Sequence, residues 1–331
     1  MKKLINDPAT VVADALAGVT AVHGDMLTVY RDPDYIIRAD APVAGKVALV
    51  SGGGSGHEPL HSGFVGPGML DAAVPGAVFA SPSVGQIHAA AQAVATEAGV
   101  LFIVKNYTGD RLNFGMAAEM LAAGGIPTEV VIVDDDVAVE NSTHTAGRRG
   151  TGATVFVEKI AGAAAESGAS LEECARIAKK VNEYAGSMGL ALSPATVPEA
   201  GVPNFELADD EVELGVGIHG EPGRERVGLE PAKALLKSLA DAVATDVPIA
   251  DGDEVMILVN GLGGTPLIEL YVVAGDLAEY CAANNIAVKR SLVGNYVTSL
   301  EMAGFTITMV KADAELLGLW DAPVNTPALR W

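Results

Sequence analysis

Apolar residues in this chain gather in short unbroken runs separated by longer alanine-rich stretches with helical spacing, a rhythm that predicts an α/β protein. The runs at 46–51, 100–105, 129–133, 254–259, 287–292 and 306–311 show little polar alternation. They fit strands covered by helices on both faces, in mostly parallel or mixed sheets. Between them, 84–97, 111–123, 154–167, 171–184, 231–243 and 266–284 have the length and composition of helices, with Pro231 and Pro266 suited to first turns. The rhythm breaks at 191–210, where Pro194, Pro198 and Pro203 stand among small and acidic residues. At 331 residues the chain is too long for one ordinary core. Two α/β domains are therefore expected, 1–186 and 187–331, each a sheet flanked by helices.

Charge narrows the partners. The chain carries 42 acidic against 21 basic side chains, and a net charge of −21 repels nucleic acid and anionic membrane surfaces. Neither is expected as a partner, and a neutral substrate fits better than a polyphosphate. The two cysteines, Cys174 and Cys281, form no disulfide framework or cysteine zinc site. The opening Met1-Lys2-Lys3-Leu4-Ile5-Asn6-Asp7-Pro8 is not followed by the apolar stretch of a secretion signal, so a cytoplasmic location is expected.

Chemistry concentrates after the apolar runs, at the strand ends where open α/β sheets place ligands. Gly52-Gly53-Gly54-Ser55-Gly56-His57-Glu58-Pro59 follows one run, and a second glycine-flanked histidine occurs in Gly215-Val216-Gly217-Ile218-His219-Gly220-Glu221-Pro222-Gly223. Glycine admits close backbone approach, and histidine is the side chain that titrates nearest neutrality. Two such loops predict one composite site. The first loop misses the dinucleotide fingerprint, because His57 stands where the last glycine belongs, and it misses the nucleophile elbow for the same reason. His57-Glu58-Pro59-Leu60-His61 matches a zinc pattern that needs both histidines on one helix face, but Pro59 argues against a helix there, and no metal site is expected. No phosphate-binding loop is present; the Gly45-Lys46 pair continues into Val47. Lys105-Asn106-Tyr107-Thr108-Gly109-Asp110 follows the next run. There Asp110 is a helix N-cap, a general base, or both, and Lys105 is a positive donor near a ligand. Asp134-Asp135-Asp136 reads as a turn or cap, and His23, His88 and His144 as surface or packing residues.

Taken together these segments resemble the substrate-binding subunit of dihydroxyacetone kinase over nearly the whole chain. The likeness rests on Arg38-Ala-Asp-Ala-Pro-Val-Ala-Gly-Lys46, the two histidine loops, Lys105 to Asp110, Asp134-Asp-Asp-Val-Ala-Val, Ala146-Gly-Arg-Arg-Gly and Leu319-Trp-Asp-Ala-Pro-Val-Asn-Thr-Pro-Ala-Leu329. The resemblance implies a phosphotransferase acting on dihydroxyacetone, with His219 bonded to the ketone carbon as a hemiaminal, His57 orienting the substrate and Asp110 taking the hydroxyl proton. It also implies that Gly54, Ser55, Gly56 and Lys105 line the ketone site. Because the chain ends at Trp331, it looks like the separate-subunit form, with no cofactor of its own. ADP or ATP with Mg is then expected on a nucleotide-binding partner subunit, with a phosphotransferase-system protein as a possible phosphoryl donor and a homodimer as the assembly. Gly261 and the short stretch between Gly223 and Asp253 depart from the pattern. They leave a larger ketose such as erythrulose, or a non-catalytic ketone-binding regulator, as alternatives.

Overall fold

The computed structural model describes residues 2–139 and 147–331, so His144 and Ala146 lie outside the described residues. It resolves into two compact units that interleave in sequence. One comprises Lys2–Val133, Thr154–Lys180 and Gly318–Trp331, and the other Asp134–Ala153 and Val181–Leu317. The single cut expected at 186/187 therefore does not reproduce them. It falls inside a strand, Ala185–Ala191, because the chain returns to the first unit for two helices before building the second.

The first unit contains α1 (Val11–His23), β1 (Leu27–Tyr30), β2 (Tyr35–Arg38), β3 (Ala48–Ser55), β4 (Ala72–Val78), α2 (Val84–Val94), β5 (Val100–Lys105), α3 (Thr108–Ala123) and β6 (Thr128–Val133). Most of α4 (Ala153–Glu166) and α5 (Leu171–Glu183) also belongs to it. Its sheet has the order β1-β2-β4-β3-β5-β6. The four strands from β4 to β6 run parallel, and the β1–β2 hairpin adds antiparallel to β4. The apolar runs at β3 and β5 are interior strands, as their composition predicts; the run at β6 is an edge strand and only partly buried. Val50, Val74, Phe102 and Val104 pack against Ile87 and Ala91 of α2 and Phe114 and Leu121 of α3. Each of these side chains except Ala91 contributes about 1.5–3 kcal/mol of burial.

Two of the segments behind the family resemblance are structural. Asp71 accepts from Lys46 Nζ at 2.5 Å, from Leu49 N at 2.8 Å and from Arg38 Nη1 at 3.2 Å, all buried. At the other end of the chain, Trp320 packs on Phe156 and Trp331, and the buried Lys159 donates to Leu319 O at 2.9 Å.

The second unit contains β7 (Ala185–Ala191), β8 (Glu211–Leu214), β9 (Glu225–Gly228), α6 (Ala232–Asp246), β10 (Glu254–Gly261), α7 (Leu267–Ala283), β11 (Ala287–Gly294), β12 (Gly304–Lys311) and the start of α8 (Ala314–Asp321). The sheet order is β11-β10-β12-β7-β8-β9, with β10–β11 parallel and the other pairs antiparallel. Leu235, Leu239 and Val243 of α6 and Leu270 and Leu277 of α7 share a core with Val255, Ile257, Ile307 and Met309. Pro231 and Pro266 stand one residue before their helices, at the N-cap instead of the first turn. Among the described residues no helix is long and apolar enough to cross a membrane.

Candidate functional site

The glycine segment is not a loop after a strand. β3 runs through it, with Gly52, Gly53 and Gly54 paired to Val74, Pro75 and Gly76 of the parallel β4. Glycine is required there by proximity. A β-carbon on Gly52 would come 2.5 Å from Val74 O, and one on Gly54 would come 2.6 Å from Ala80 N. On Gly53 it would come 2.5 Å from Lys105 Nζ and 3.6 Å from Asp110 Oδ2, so that position opens onto the predicted polar residues. The Ser55 hydroxyl donates to Gly76 O at 2.7 Å, which ties it to the sheet. Gly56, at φ 105°, turns the chain where a side chain would be strained, and its N–H is held by Glu58 at 2.9 Å.

His57 is buried and stacks on Phe79 with ring centroids 4.9 Å apart. The segment 57–61 is a series of turns and not a helix, so the zinc-helix geometry is absent. His61 instead faces inward. Its Nδ1 lies 2.5 Å from Glu158 Oε1 and 3.0 Å from Ser51 Oγ, and its Nε2 lies 2.9 Å from Lys105 Nζ. Lys105 is the last residue of β5 and is buried. Asp110 is also buried; it is the third residue of α3, whose N-cap is Tyr107, so the N-cap role does not apply. Its Oδ1 has no hydrogen-bond partner among the described residues. Burial pushes the Lys105 ammonium below its ordinary value, while Asp110 and Glu158 pull it back up. Burial likewise raises Glu158, to about 8, against the opposing influence of Ser51 and Lys105.

His219 belongs to the second unit, in the turn after β8. Its side chain is 20% exposed, and a single carboxylate holds it in two places. Glu221 Oε1 lies 2.8 Å from His219 Nδ1, and Glu221 Oε2 accepts from the His219 backbone N–H at 3.0 Å. Burial works to raise the Glu221 carboxyl, but His219 and Arg149 outweigh it and hold the group down at about 2. Glu221 is therefore ionised near neutrality, and in the neutral form of the ring the facing Nδ1 carries the proton and Nε2 the lone pair. Arg149 is anchored in turn by Asp136 Oδ2 at 2.7 Å and Gly215 O at 2.6 Å. A β-carbon on Gly217 would lie 2.7 Å from Arg149 Nη1 and strike Glu221, which explains one glycine of the loop.

Gly54, Ser55, Gly56, His57, Lys105 and Asp110 thus lie in one unit and His219 in the other. His61, Glu158, Glu221 and Arg149 were not singled out from sequence as site residues. A carboxylate two positions after His219 was a visible signal for Glu221; nothing local marks Glu158, which lies 97 residues from His61. The three aspartates at 134–136 are each engaged. Asp134 pairs with Asn182, Asp136 pairs with Arg149, and Asp135 accepts from Thr151 and Ala153 at the start of α4 and from Ser187 of β7.

Two mixed sheets, each flanked by helices, make this an α/β protein. It belongs to the Dak1 family, whose domain matches residues 17–328. The chain is 50% identical to the dihydroxyacetone-binding subunit DhaK of the PTS-dependent dihydroxyacetone kinase 1 of Listeria innocua, over 99% of this chain and 100% of that one. The dihydroxyacetone kinase of C. freundii, solved in complex with AMP-PNP and Mg2+, is 35% identical with a TM-score of 0.89 over 98% of this chain. The chain spans 60% of that larger kinase. The dihydroxyacetone kinase operon co-activator Dha-DhaQ is 32% identical with a TM-score of 0.89, over 95% of this chain and 96% of that one.

Proposed function

We propose that this chain is the ketone-binding subunit of a dihydroxyacetone kinase. It holds dihydroxyacetone as a hemiaminal on His219 and presents a substrate hydroxyl to a nucleotide carried by a partner subunit, giving dihydroxyacetone phosphate. The observation that carries this reading is the His219–Glu221 pair, whose carboxylate faces Nδ1 and so favours, in the neutral imidazole, the tautomer with its lone pair on Nε2. That lone pair forms the bond to the ketone carbon, and the carbonyl π electrons pass to oxygen, which is protonated to a hydroxyl. The hydroxyl proton comes from water, and the Nδ1 proton passes by way of Glu221 to the hydroxide left behind, so Glu221 ends ionised and the proton balance closes. A covalent bond supplies the hold that a substrate this small cannot gain from contact area.

In this reading His57 hydrogen-bonds and orients the substrate, and Lys105 and the backbone of Gly54, Ser55 and Gly56 line the ketone site. Ser55 contributes through its backbone, because its hydroxyl proton is committed to Gly76. Asp110, with an unsatisfied buried oxygen, is the base for the attacking hydroxyl. The nucleotide, ADP or ATP with Mg, sits on the partner, in keeping with the larger C. freundii kinase that this chain covers only in part. The name of the Listeria relative favours a phosphotransferase-system protein as phosphoryl source. The subunit pairs with a second copy of itself.

The likeness to the operon co-activator favours a second reading, a ketone-binding regulator. One experiment addresses both: carbon-13 NMR of C2-labelled dihydroxyacetone, alongside phosphoryl transfer measured with the partner subunit. The wild type moves the C2 resonance into the tetrahedral region and His219→Ala does not; no adduct on the wild type overturns the proposal. Asp110→Asn keeps the adduct and loses about 10²–10⁴-fold in transfer rate. A wild type that forms the adduct but transfers no phosphoryl group with any nucleotide subunit is a regulator.

A further inference from the structure

Beneath the glycine strand, Lys105, which the reading above places at the ketone site, ends a directed chain of two further ionisable side chains, His61 and Glu158, that the proposed chemistry does not use. Lys105 Nζ lies 2.9 Å from His61 Nε2, and His61 Nδ1 lies 2.5 Å from Glu158 Oε1. All three residues are buried, at 1%, 5% and 0% exposure. The Ser51 hydroxyl, 3.0 Å from the same Nδ1, donates to Ile103 O at 2.7 Å and can only accept from the ring. With Glu158 ionised, the Nδ1 proton lies between two acceptors and Nε2 accepts from the Lys105 ammonium.

We propose that His61 and Glu158 are positioning residues that form a proton relay setting the charge of Lys105 beside Asp110. Two protons move in the same direction along the relay, one from Lys105 Nζ to His61 Nε2 and the other from His61 Nδ1 to Glu158 Oε1. The bonds broken are Nζ–H and Nδ1–H, and those formed are Nε2–H and O–H. An ammonium–carboxylate pair becomes an amine and a carboxylic acid, and the imidazole changes only its tautomer. No proton has to enter from solvent. The inference rests on the reading above, in which Lys105 and Asp110 serve the ketone site: a charged Lys105 weakens Asp110 as a base, and a neutral one strengthens it.

Three further features support it. Glu158 Oε2 and Asp110 Oδ1 are both buried with no hydrogen-bond partner among the described residues. A purely structural ion network would satisfy both, and unsatisfied buried groups recur where a site has work for them. Position 53 is glycine, so the strand leaves the space that the Lys105 ammonium occupies. Burial also shifts both ends of the relay toward their neutral forms. The charged groups facing Lys105 are Asp110 from α3 and Glu158 from α4. His61 bonds to it from the turn after β3, and His57 acts on His61.

The test uses the full chain labelled with carbon-13 at lysine Cε and followed by NMR against pH. In Glu158→Gln the carboxylate is gone, and the Lys105 midpoint falls by about one to two pH units relative to wild type. Coupling is reciprocal. Lys105→Met accordingly raises the Glu158 midpoint by the same amount, read from carbon-13 at glutamate Cδ, and this second variant serves if Glu158→Gln does not fold. Unchanged midpoints in a folded variant overturn the relay. Because neither measurement needs substrate or partner, a coupled Lys105 in a protein that forms no adduct keeps the relay and removes the ketone reading.

Discussion

Replacing Glu221 with glutamine changes one oxygen to an NH2 group, and the geometry around His219 makes the outcome calculable. The carboxylate serves two donors at once, the His219 backbone N–H at 3.0 Å and its Nδ1–H at 2.8 Å. A carboxamide has one acceptor oxygen. If that oxygen takes Nδ1–H, the NH2 faces the backbone N–H, donor against donor. If the oxygen takes the backbone N–H, the NH2 donates to Nδ1 and the ring must carry its proton on Nε2, where the lone pair is needed. A buried donor left unpaired costs about 1–3 kcal/mol. The free variant settles in the second arrangement, and returning the ring to the reactive tautomer restores the donor clash, so the dihydroxyacetone adduct weakens by about 5- to 150-fold. Arg149 keeps Asp136 and Gly215 as partners in the variant, so the fold is expected to survive, which a thermal melt would verify. The assay is titration of C2-labelled dihydroxyacetone followed by carbon-13 NMR. An unchanged dissociation constant in folded Glu221→Gln would refute the tautomer argument.

Glycines offer a contrast in stability. Gly54→Ala drives a β-carbon to 2.6 Å from Ala80 N and 2.7 Å from Phe79 C, backbone that cannot step aside, and is expected to lower stability by about 1–3 kcal/mol. Gly85→Ala, in the first turn of α2 with nothing within 4 Å, is expected to be neutral or to add up to about 1 kcal/mol. Denaturant midpoints separate the two, and equal effects would contradict the packing account. Acid sensitivity follows from Glu221, whose folded carboxyl is held down at about 2, below its unfolded value. Its stabilising contribution is complete above the unfolded glutamate pKa, about 4.3, and is lost as pH falls toward 2. Between those limits wild type should lose stability more steeply than Glu221→Gln, measured as unfolding free energy against pH; parallel curves would remove Glu221 from the acid response.

Much of the architecture is legible in the sequence because parallel interior strands must be apolar on both faces. The run at β5, parallel to both its neighbours, stands out for that reason, and β10, interior in a mixed sheet, does so as well. β7 was missed for the opposite reason: Ala-Gly-Ser-Met-Gly-Leu-Ala contains no β-branched residue. A β-carbon on Gly186 would meet Val247 at 2.6 Å, and one on Gly189 would meet Thr306 at 2.8 Å, so packing selects small residues where propensity would favour large ones. The glycine segment shows the same limit. Its composition reads as a loop, yet close parallel pairing with β4 makes it strand.

Residue types along the chain were enough to place His57, Lys105 and His219 at or after the ends of strands and Asp110 at the opening of a helix, since polar residues directly after an apolar run have few other places to go. Sequence also set the alternation of sheet and helix and, through resemblance, the family. The protonation logic came only with the tertiary structure. Glu158 reaches His61 across 97 residues, and Arg149 reaches Gly215 across 66. Whether a histidine acts as donor, acceptor or nucleophile depends on the partner of its other ring nitrogen, and that partner is chosen by folding in three dimensions.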